Sequence, residues 1–156
     1  MNTTKSSTPT DLRTQRFGPG GGVYEIVTSA ADTGGAHFAF IATEPPGGGP
    51  PLHTHANEDE FFLVLEGEIS FWIDGTITRV GAGGTAFMPR CVPHCFKNRS
   101  SSSARVLVLF TPGHIEGFFD YGKPIDGRAP SDDVLITRIG ELGPRFGLNL
   151  LGPSPL

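Results

Sequence analysis

Short apolar runs, separated by glycine and proline, recur along most of this chain. The longest runs, at residues 38–42, 61–65 and 106–110, have only five residues each. The 22 glycines and 14 prolines among the 156 residues supply frequent turns. This pattern favours many short strands over long helices. No run approaches the roughly 20 apolar residues that a membrane-spanning helix needs, and the chain length predicts one domain.

Strand-like segments follow one another between residues 23 and 111. They lie at 23–27, 37–43, 60–67, 68–74, 76–80, 85–89, 92–98 and 105–111. The pair Asp74-Gly75 between two of them is the signal of a tight type I′ hairpin. About nine or ten short strands joined by regular turns predict an all-β sandwich or barrel. The strand pattern alone does not choose between these two architectures.

The two ends of the chain differ from this central region. Residues 1–16 are polar and rich in serine and threonine, which predicts a flexible N-terminal tail without the apolar segment of a signal peptide. We therefore expect a cytoplasmic protein with its main domain in residues 17–112. Residues 113–156 then form an extension, with one short helical turn expected at 113–122.

A short helix packed on the β-domain is expected within residues 131–147. Leu135, Ile139 and Leu142 recur there at helical spacing. Ser131 suits the N-cap position, and Pro144 ends or kinks the helix.

The net charge and the cysteines restrict the partners and the compartment. A formal net charge of −4 argues against nucleic acid, because phosphate binding needs a basic surface. Cys91 and Cys95 on one extended strand would lie about 13 Å apart. A disulfide needs Cα atoms closer than about 7 Å, so we expect two reduced thiols, as in a cytosolic protein.

His53 and His55 are separated by one residue, so both side chains leave the same face of a strand. Their Cα atoms would lie about 6.6 Å apart, and their imidazoles can share one ion. Glu60 adds a carboxylate oxygen a few residues later, and this donor set suits Zn, Fe, Mn, Co or Ni. The H-x-H spacing by itself fits a polar strand face equally well.

Two longer patterns include these residues. Gly47, His53, His55, Glu60 and Gly67 form G-x5-H-x-H-x4-E-x6-G. Further along, residues 83–98 form G-x5-P-x-C-x2-H-x3-N, which contains His94. These stretches resemble the two signature motifs of the cupin family over roughly residues 20–112. One position departs from the motifs, since Cys91 stands where the family has glycine.

The resemblance implies an all-β fold, a double-stranded β-helix or jelly-roll barrel of two antiparallel sheets. It also implies one divalent transition metal ion (Fe, Mn, Ni, Co, Cu or Zn) inside the barrel. The ligands would be His53, His55, Glu60 and His94. An octahedral ion would keep two positions open for water, substrate or dioxygen.

The remaining polar residues near the motifs receive simpler interpretations. Glu58 shares strand parity with Glu60 and would compete as a ligand if the loop were shifted, but the motif spacing selects Glu60. Glu58 and Asp59 are therefore expected in the solvated loop before the strand that carries Glu60. His37 and His114 are interpreted as non-ligands. We expect Cys91 to be a small buried residue in an ordinary or mildly strained backbone conformation, the alternative being a thiol near the metal. Cys95 is expected to point away from the metal into packing.

Two aromatic residues share the inward direction of the expected ligands. Phe62 alternates with Glu60, and Phe96 alternates with His94. We expect them to bind substrate in an apolar cavity above the metal, although plain core packing explains them equally well. Such a cavity would suit a flat, apolar or aromatic small molecule.

Among cupins, the chain most resembles the single-domain quercetin 2,3-dioxygenase-like group. That resemblance implies dioxygen-dependent cleavage of a flavonol-like or enediol substrate, with Glu60 also acting as the catalytic base. The alternatives are a metal-dependent isomerase, epimerase or lyase, or a non-catalytic small-molecule binding or sensor protein. A homodimer formed by sheet packing is also expected.

Overall fold

The computed structural model describes residues 15–17, 23–121 and 131–156. The strands are β1 (Gln15–Phe17), β2 (Val23–Thr28), β3 (Phe38–Glu44), β4 (Leu52–His55), β5 (Asp59–Glu66), β6 (Glu68–Ile73), β7 (Thr76–Gly81), β8 (Thr85–Met88), β9 (His94–Lys97), β10 (Ala104–Thr111) and β11 (Leu148–Gly152). The helices are a first 3₁₀ helix (His114–Tyr121), α1 (Asp132–Leu142) and a second 3₁₀ helix (Gly143–Phe146).

The strands form two antiparallel sheets. The six-stranded sheet has the order β1-β2-β3-β10-β5-β8, and the five-stranded sheet has the order β11-β4-β9-β6-β7. From β3 to β10 the chain crosses repeatedly from one sheet to the other, as a double-stranded β-helix requires. The predicted fold class is therefore confirmed.

Alternation along the central strands separates the inside of the barrel from the outside. In β5 and β10, every second residue is buried over most of the strand. The inward set is rich in phenylalanine, including Phe38, Phe40, Phe62 and Phe110. Burying each such ring contributes about 1.5–3 kcal/mol, so these inward residues hold the two sheets together.

The C-terminal region contains the expected helix and an additional strand. Leu135 and Ile139 form the buried side of α1, and the helix ends before Pro144, as the sequence predicted. Strand β11 was not predicted. It joins the second sheet by pairing with β4, where Leu148 faces His55 and Leu150 faces His53.

The expected N-terminal tail lies mostly outside the described residues. Its last two members, Gln15 and Arg16, belong to β1, which pairs with β2. The expected helical turn at 113–122 is present as the first 3₁₀ helix. Across the described ranges, no helix is long and apolar enough to cross a membrane.

Candidate metal centre

Three histidines meet through the pairing of two short strands. His53 and His55 lie on β4 with their side chains buried on the same face. Strand β4 pairs with β9 through a single register position, at which His53 lies opposite His94. Residues far apart in sequence thus become neighbours on one sheet.

Glu60 comes from the facing sheet, at the start of β5. Its carboxylate Oε2 lies 3.2 Å from His94 Nε2 and 3.5 Å from His55 Nε2. The Nε2 atoms of His53 and His55 are 3.2 Å apart. One donor atom from each of the four residues lies within 4.8 Å of the others, and each residue is at most 5% exposed. The structure therefore brings together the four residues that the motifs predicted.

Backbone carbonyls fix the tautomers of two histidines. The Nδ1 atoms of His53 and His94 lie 2.8 Å from the carbonyl oxygens of Pro51 and Val92. A carbonyl oxygen only accepts, so each Nδ1 carries the proton, and in the neutral rings each Nε2 presents a lone pair to the centre. This explains why His94 Nε2 is buried, close to the Glu60 carboxylate and without a hydrogen bond among the described residues. Lone pairs facing a carboxylate in a buried site fit a cation between them.

The electrostatics of the cluster favour a neutral imidazole at His53 and an ionised carboxylate at Glu60. Burial lowers the pKa of His53 well below its usual value, and neighbouring His94 and His55 lower it further, so the ring is neutral. Burial by itself raises the pKa of Glu60, but hydrogen bonds and charge from His55 and His94, when their Nε2 atoms carry a proton, outweigh it and hold the pKa at about 2. A neutral imidazole and an ionised carboxylate are the forms that ligate metals.

Cys91 differs from its prediction in exposure. It is exposed, and its backbone has φ of +64°, the left-handed region that favours glycine. The prediction that Cys91 is buried is wrong. Its backbone has the strained of the two expected conformations, because the turn before β9 keeps the left-handed geometry that glycine would adopt. The Cys91 amide donates to the His55 carbonyl at 2.7 Å, which ties this turn to β4. Both cysteines are free thiols, and Cys95 is buried, as expected.

The two acids before Glu60 have separate environments. The prediction that Glu58 lies in solvent is wrong, since it is 1% exposed. Burial raises the pKa of Glu58, and its Oε2 has no partner among the described atoms. Asp59 is half-buried and begins β5, where it accepts hydrogen bonds from the Arg90 amide and guanidinium at 2.9 Å. Sequence parity with Glu60 was the signal that could have identified Glu58 as an inward residue.

An apolar cavity opens above the cluster and measures about 850 Å³ when the part open to solvent is counted. Phe62 and Phe96, the two predicted aromatic residues, both line it, and their ring centroids are 5.0 Å apart. Leu135 and Ile139 of α1 and Leu148 of β11 line another part of the wall. The C-terminal extension is thus part of the cavity.

Two polar residues of the cavity wall were missed by the sequence analysis. Tyr24 and Glu44 both line the cavity. Glu44 shares strand parity with Phe38 and Phe40, so a charged residue at an inward position was the available signal. His37 and His114 neither line the cavity nor belong to the donor cluster of the described residues.

The barrel and its buried histidine–glutamate cluster define the class of protein. Residues 40–110 match the sequence model of the Cupin domain family. These residues, which carry all four donors, therefore form a domain of this family. It is also similar to quercetin 2,3-dioxygenase of Bacillus subtilis (strain 168), with 31% identity over 107 residues. That match covers 67% of this chain and 31% of the Bacillus protein, so the chain spans about a third of that relative's length.

Solved structures show the same fold. A protein from Thermus thermophilus is 26% identical with a TM-score of 0.55, over 63% of this chain and 90% of that one. KdgF from Halomonas sp. is 18% identical with a TM-score of 0.62, over 73% of this chain and 99% of that one. At this identity, the likeness to KdgF concerns the fold alone.

Proposed function

We propose that this chain binds one divalent transition metal ion and cleaves a flavonol-like or enediol aromatic substrate with dioxygen. The ion is one of Fe, Mn, Ni, Co, Cu or Zn, held by His53, His55, Glu60 and His94. One observation carries the proposal: four buried donor atoms converge, and three of their residues, His53, His55 and Glu60, line an apolar, aromatic-lined cavity. The similarity to a quercetin 2,3-dioxygenase supports the reaction class.

In this reaction the polar and apolar residues of the cavity have different roles. When bound, the ion supplies a Lewis acid that favours the deprotonated form of a substrate hydroxyl. The Glu60 carboxylate is ionised at neutral pH and accepts the hydroxyl proton. Phe62 and Phe96 hold the aromatic part of the substrate, while Leu135 and Ile139 exclude water from that side.

The lining of the cavity supports an apolar or aromatic ligand over a sugar phosphate. None of the described residues that line it is arginine or lysine. A phosphorylated or strongly polar sugar would need such partners to offset the desolvation of its charges. This supports a dioxygenase over an isomerase or epimerase of sugars.

Oxygen consumption by the metal-loaded protein tests the reaction. The protein is loaded separately with each of the six ions and mixed in air with a panel of flavonols and enediols. We expect uptake of one O2 per substrate with at least one ion, and a loss of about 100-fold or more in Glu60→Gln. Asp59→Asn is the matched control and keeps its activity, because Asp59 pairs with Arg90 outside the cluster.

The same assay separates catalysis from binding. Oxygen-independent conversion of a keto compound would replace the dioxygenase with an isomerase or lyase. Tight retention of a ligand without turnover, under every metal, would make the chain a binding or sensor protein.

We also infer a homodimer formed through the outer face of the six-stranded sheet. Leu109, Phe61 and Phe87 lie side by side across β10, β5 and β8. Their neighbours Phe62 and Val108 line the internal cavity, so by alternation these three point outward. An apolar row on an outer sheet face favours association with a second copy.

A cytoplasmic location is our inference from the thiols. Cys91 and Cys95 are both free, and Cys91 is exposed, where an oxidising compartment would favour its modification. Fractionation of producing cells with detection of the chain tests this, and recovery outside the cytoplasm would contradict it.

A further inference from the structure

A carboxylate occupies an inward position of β3, far from the metal centre along the sheet. Phe38, Phe40 and Ala42 alternate with outward residues and belong to the buried core, and Glu44 follows them in the same phase. It is 5% exposed and lines the cavity together with Phe40 and Ala42. An apolar side chain is the ordinary choice at such a position.

The Glu44 carboxylate has no partner within the described part of the chain. Asn98 donates a hydrogen bond to the Glu44 backbone carbonyl at 2.9 Å, which holds the strand end and leaves the side chain unpaired. Gly48 leaves room for the carboxylate, because a Cβ at that position would lie 2.9 Å from Oε2. An unpaired buried carboxylate is costly, and burial accordingly raises the pKa of Glu44 to about 7. The group therefore lacks a structural role that would account for it.

The sheet register separates Glu44 from the metal centre. Glu44 lies opposite Ala104 on β10, whereas Glu60 lies opposite Phe110 on the other side of the same strand. Six residues of extended chain put the backbone at these two levels about 20 Å apart along the strand. The side chains reach into the cavity from both levels and shorten this gap, since both carboxylates act on the same Tyr24 hydroxyl. On β5 and β10 the cavity wall between the two levels is apolar and includes Phe62 and Val108.

Tyr24 lies between the two levels. It pairs with Ala42 on β3, and Ala42 in turn pairs with Val106 on β10. Although the residue keeps some exposed surface, its hydroxyl lies deep enough that burial, Glu44 and Glu60, in that order, raise its pKa well above the usual value. Its ring packs edge-on against Phe40 and Phe119, with centroids 4.6 and 5.3 Å away. The hydroxyl stays protonated and adds a donor to the wall near Glu44.

We propose that Glu44 is a specificity-determining residue, which accepts a hydrogen bond from a hydroxyl group at the end of an aromatic substrate remote from the metal centre. The substrate class is thus narrowed to elongated aromatic molecules with an apolar middle and a polar group at each end. The placement of the other end of the substrate at the metal centre rests on the proposed function.

Matched ligands test this recognition by binding alone. The probes are 3-hydroxyflavone and its derivatives with one additional hydroxyl, at position 4′ or at position 7. Their dissociation constants are measured by calorimetry with the metal-loaded wild type, Glu44→Leu and Glu44→Gln. Glu141→Gln, an exposed residue of α1, is the control.

We expect the wild type and Glu141→Gln to bind at least one hydroxylated derivative about tenfold or more tightly than 3-hydroxyflavone. In Glu44→Leu this preference falls to about one, while the affinity for 3-hydroxyflavone and the metal content are retained. Glu44→Gln keeps part of the preference, because an amide oxygen still accepts.

Each contrary result overturns the inference. Such results are equal affinities of the wild type for the three probes, a preference for the hydroxylated probes that survives in Glu44→Leu, or a wild type that binds none of the three probes. Failure of the proposed reaction looks different: the hydroxyl preference is present and depends on Glu44, but no oxygen is consumed with the bound ligands.

Discussion

At the scale of single residues, the backbone carbonyls beside the donor cluster matter as much as the donors. Pro51 and Val92 accept the Nδ1 protons of His53 and His94, so both imidazoles are oriented before an ion arrives. Orientation of ligands by such partners is a general feature of metal sites. The cluster is therefore preorganised to bind a cation.

Removing one imidazole tests the ligand set. We expect His53→Ala to lower metal affinity by more than about tenfold, since it removes one of four donors and the partner of His55. Elemental analysis after dialysis against a weak chelator should show about one ion per wild-type chain and much less in the variant. His37→Ala is the control, because His37 lies outside the cluster. Full metal content in His53→Ala would contradict the assignment.

Glu44 predicts a pH dependence of stability. Its pKa is raised from 4.5 to about 7 in the folded protein, so between these values the folded state holds a proton that the unfolded chain has released. The wild type therefore loses stability as pH rises through this window. Relative to Glu44→Gln the loss should reach about 3 kcal/mol above pH 7 and be absent below pH 4.5.

Urea unfolding of the wild type and Glu44→Gln at pH 4 and at pH 8 measures this difference. Glu141→Gln serves as the exposed control and should follow the wild type. If the free energies of unfolding of the wild type and Glu44→Gln differ by the same amount at both pH values, burial does not raise the pKa of Glu44.

Single residues also show how far the sequence predicts the site. His53, His55, Glu60 and His94 are identifiable because their spacing places each on a strand with a fixed inward phase. Glu58 shares the inward phase of Glu60, and Cys91 stands at the glycine position of the motif, so both had a signal in the sequence. The degree of burial of Glu58 and the exposure of Cys91 depend on how the loop before β5 and the turn before β9 pack, which no local pattern specifies.

At the scale of elements, the C-terminal extension completes the cavity wall. Strand β11 pairs with β4, the strand that carries His53 and His55, and α1 contributes Leu135 and Ile139 to the cavity wall. The helix was predictable from its 3.6-residue periodicity. Strand β11 was not, because five residues of mixed polarity become a strand only through an available edge on β4.

Truncation of a helix side chain tests this role. Leu135→Ala should lower the free energy of unfolding by about 2–4 kcal/mol, toward the smaller value because the site borders a cavity. Val134→Ala, one position away and 39% exposed, should change it by less than about 0.5 kcal/mol. Chemical unfolding measures both, and equal effects would mean that α1 does not pack on the barrel as described.

At the scale of the whole molecule, the two sheets have different outer surfaces. The outward row of Leu109, Phe61 and Phe87 on the six-stranded sheet ends in Phe87, which is 56% exposed. On the other sheet, Ile77 of β7 is similarly exposed and lies opposite Trp72 on β6, but the next residue on the same face of β7 is the exposed Arg79. An interface needs contiguous apolar area, so the row of three apolar side chains is the surface better suited to a second copy.

Association in solution tests this difference between the sheets. Sedimentation equilibrium should show a wild-type dimer, and Phe87→Ser should weaken it by about tenfold or more, since a large aromatic side chain is the usual energetic centre of an interface. Ile77→Ser removes a side chain of the five-stranded sheet that is about as exposed as Phe87, and it should leave the dimer unchanged. A monomeric wild type, or equal effects of the two substitutions, would exclude the six-stranded face as the interface. Phe87 lies opposite Phe61, which points away from the cavity because its neighbour Phe62 lines it. Phe87→Ser should therefore leave the metal content unaltered, and this distinguishes an effect on association from an effect on the metal centre.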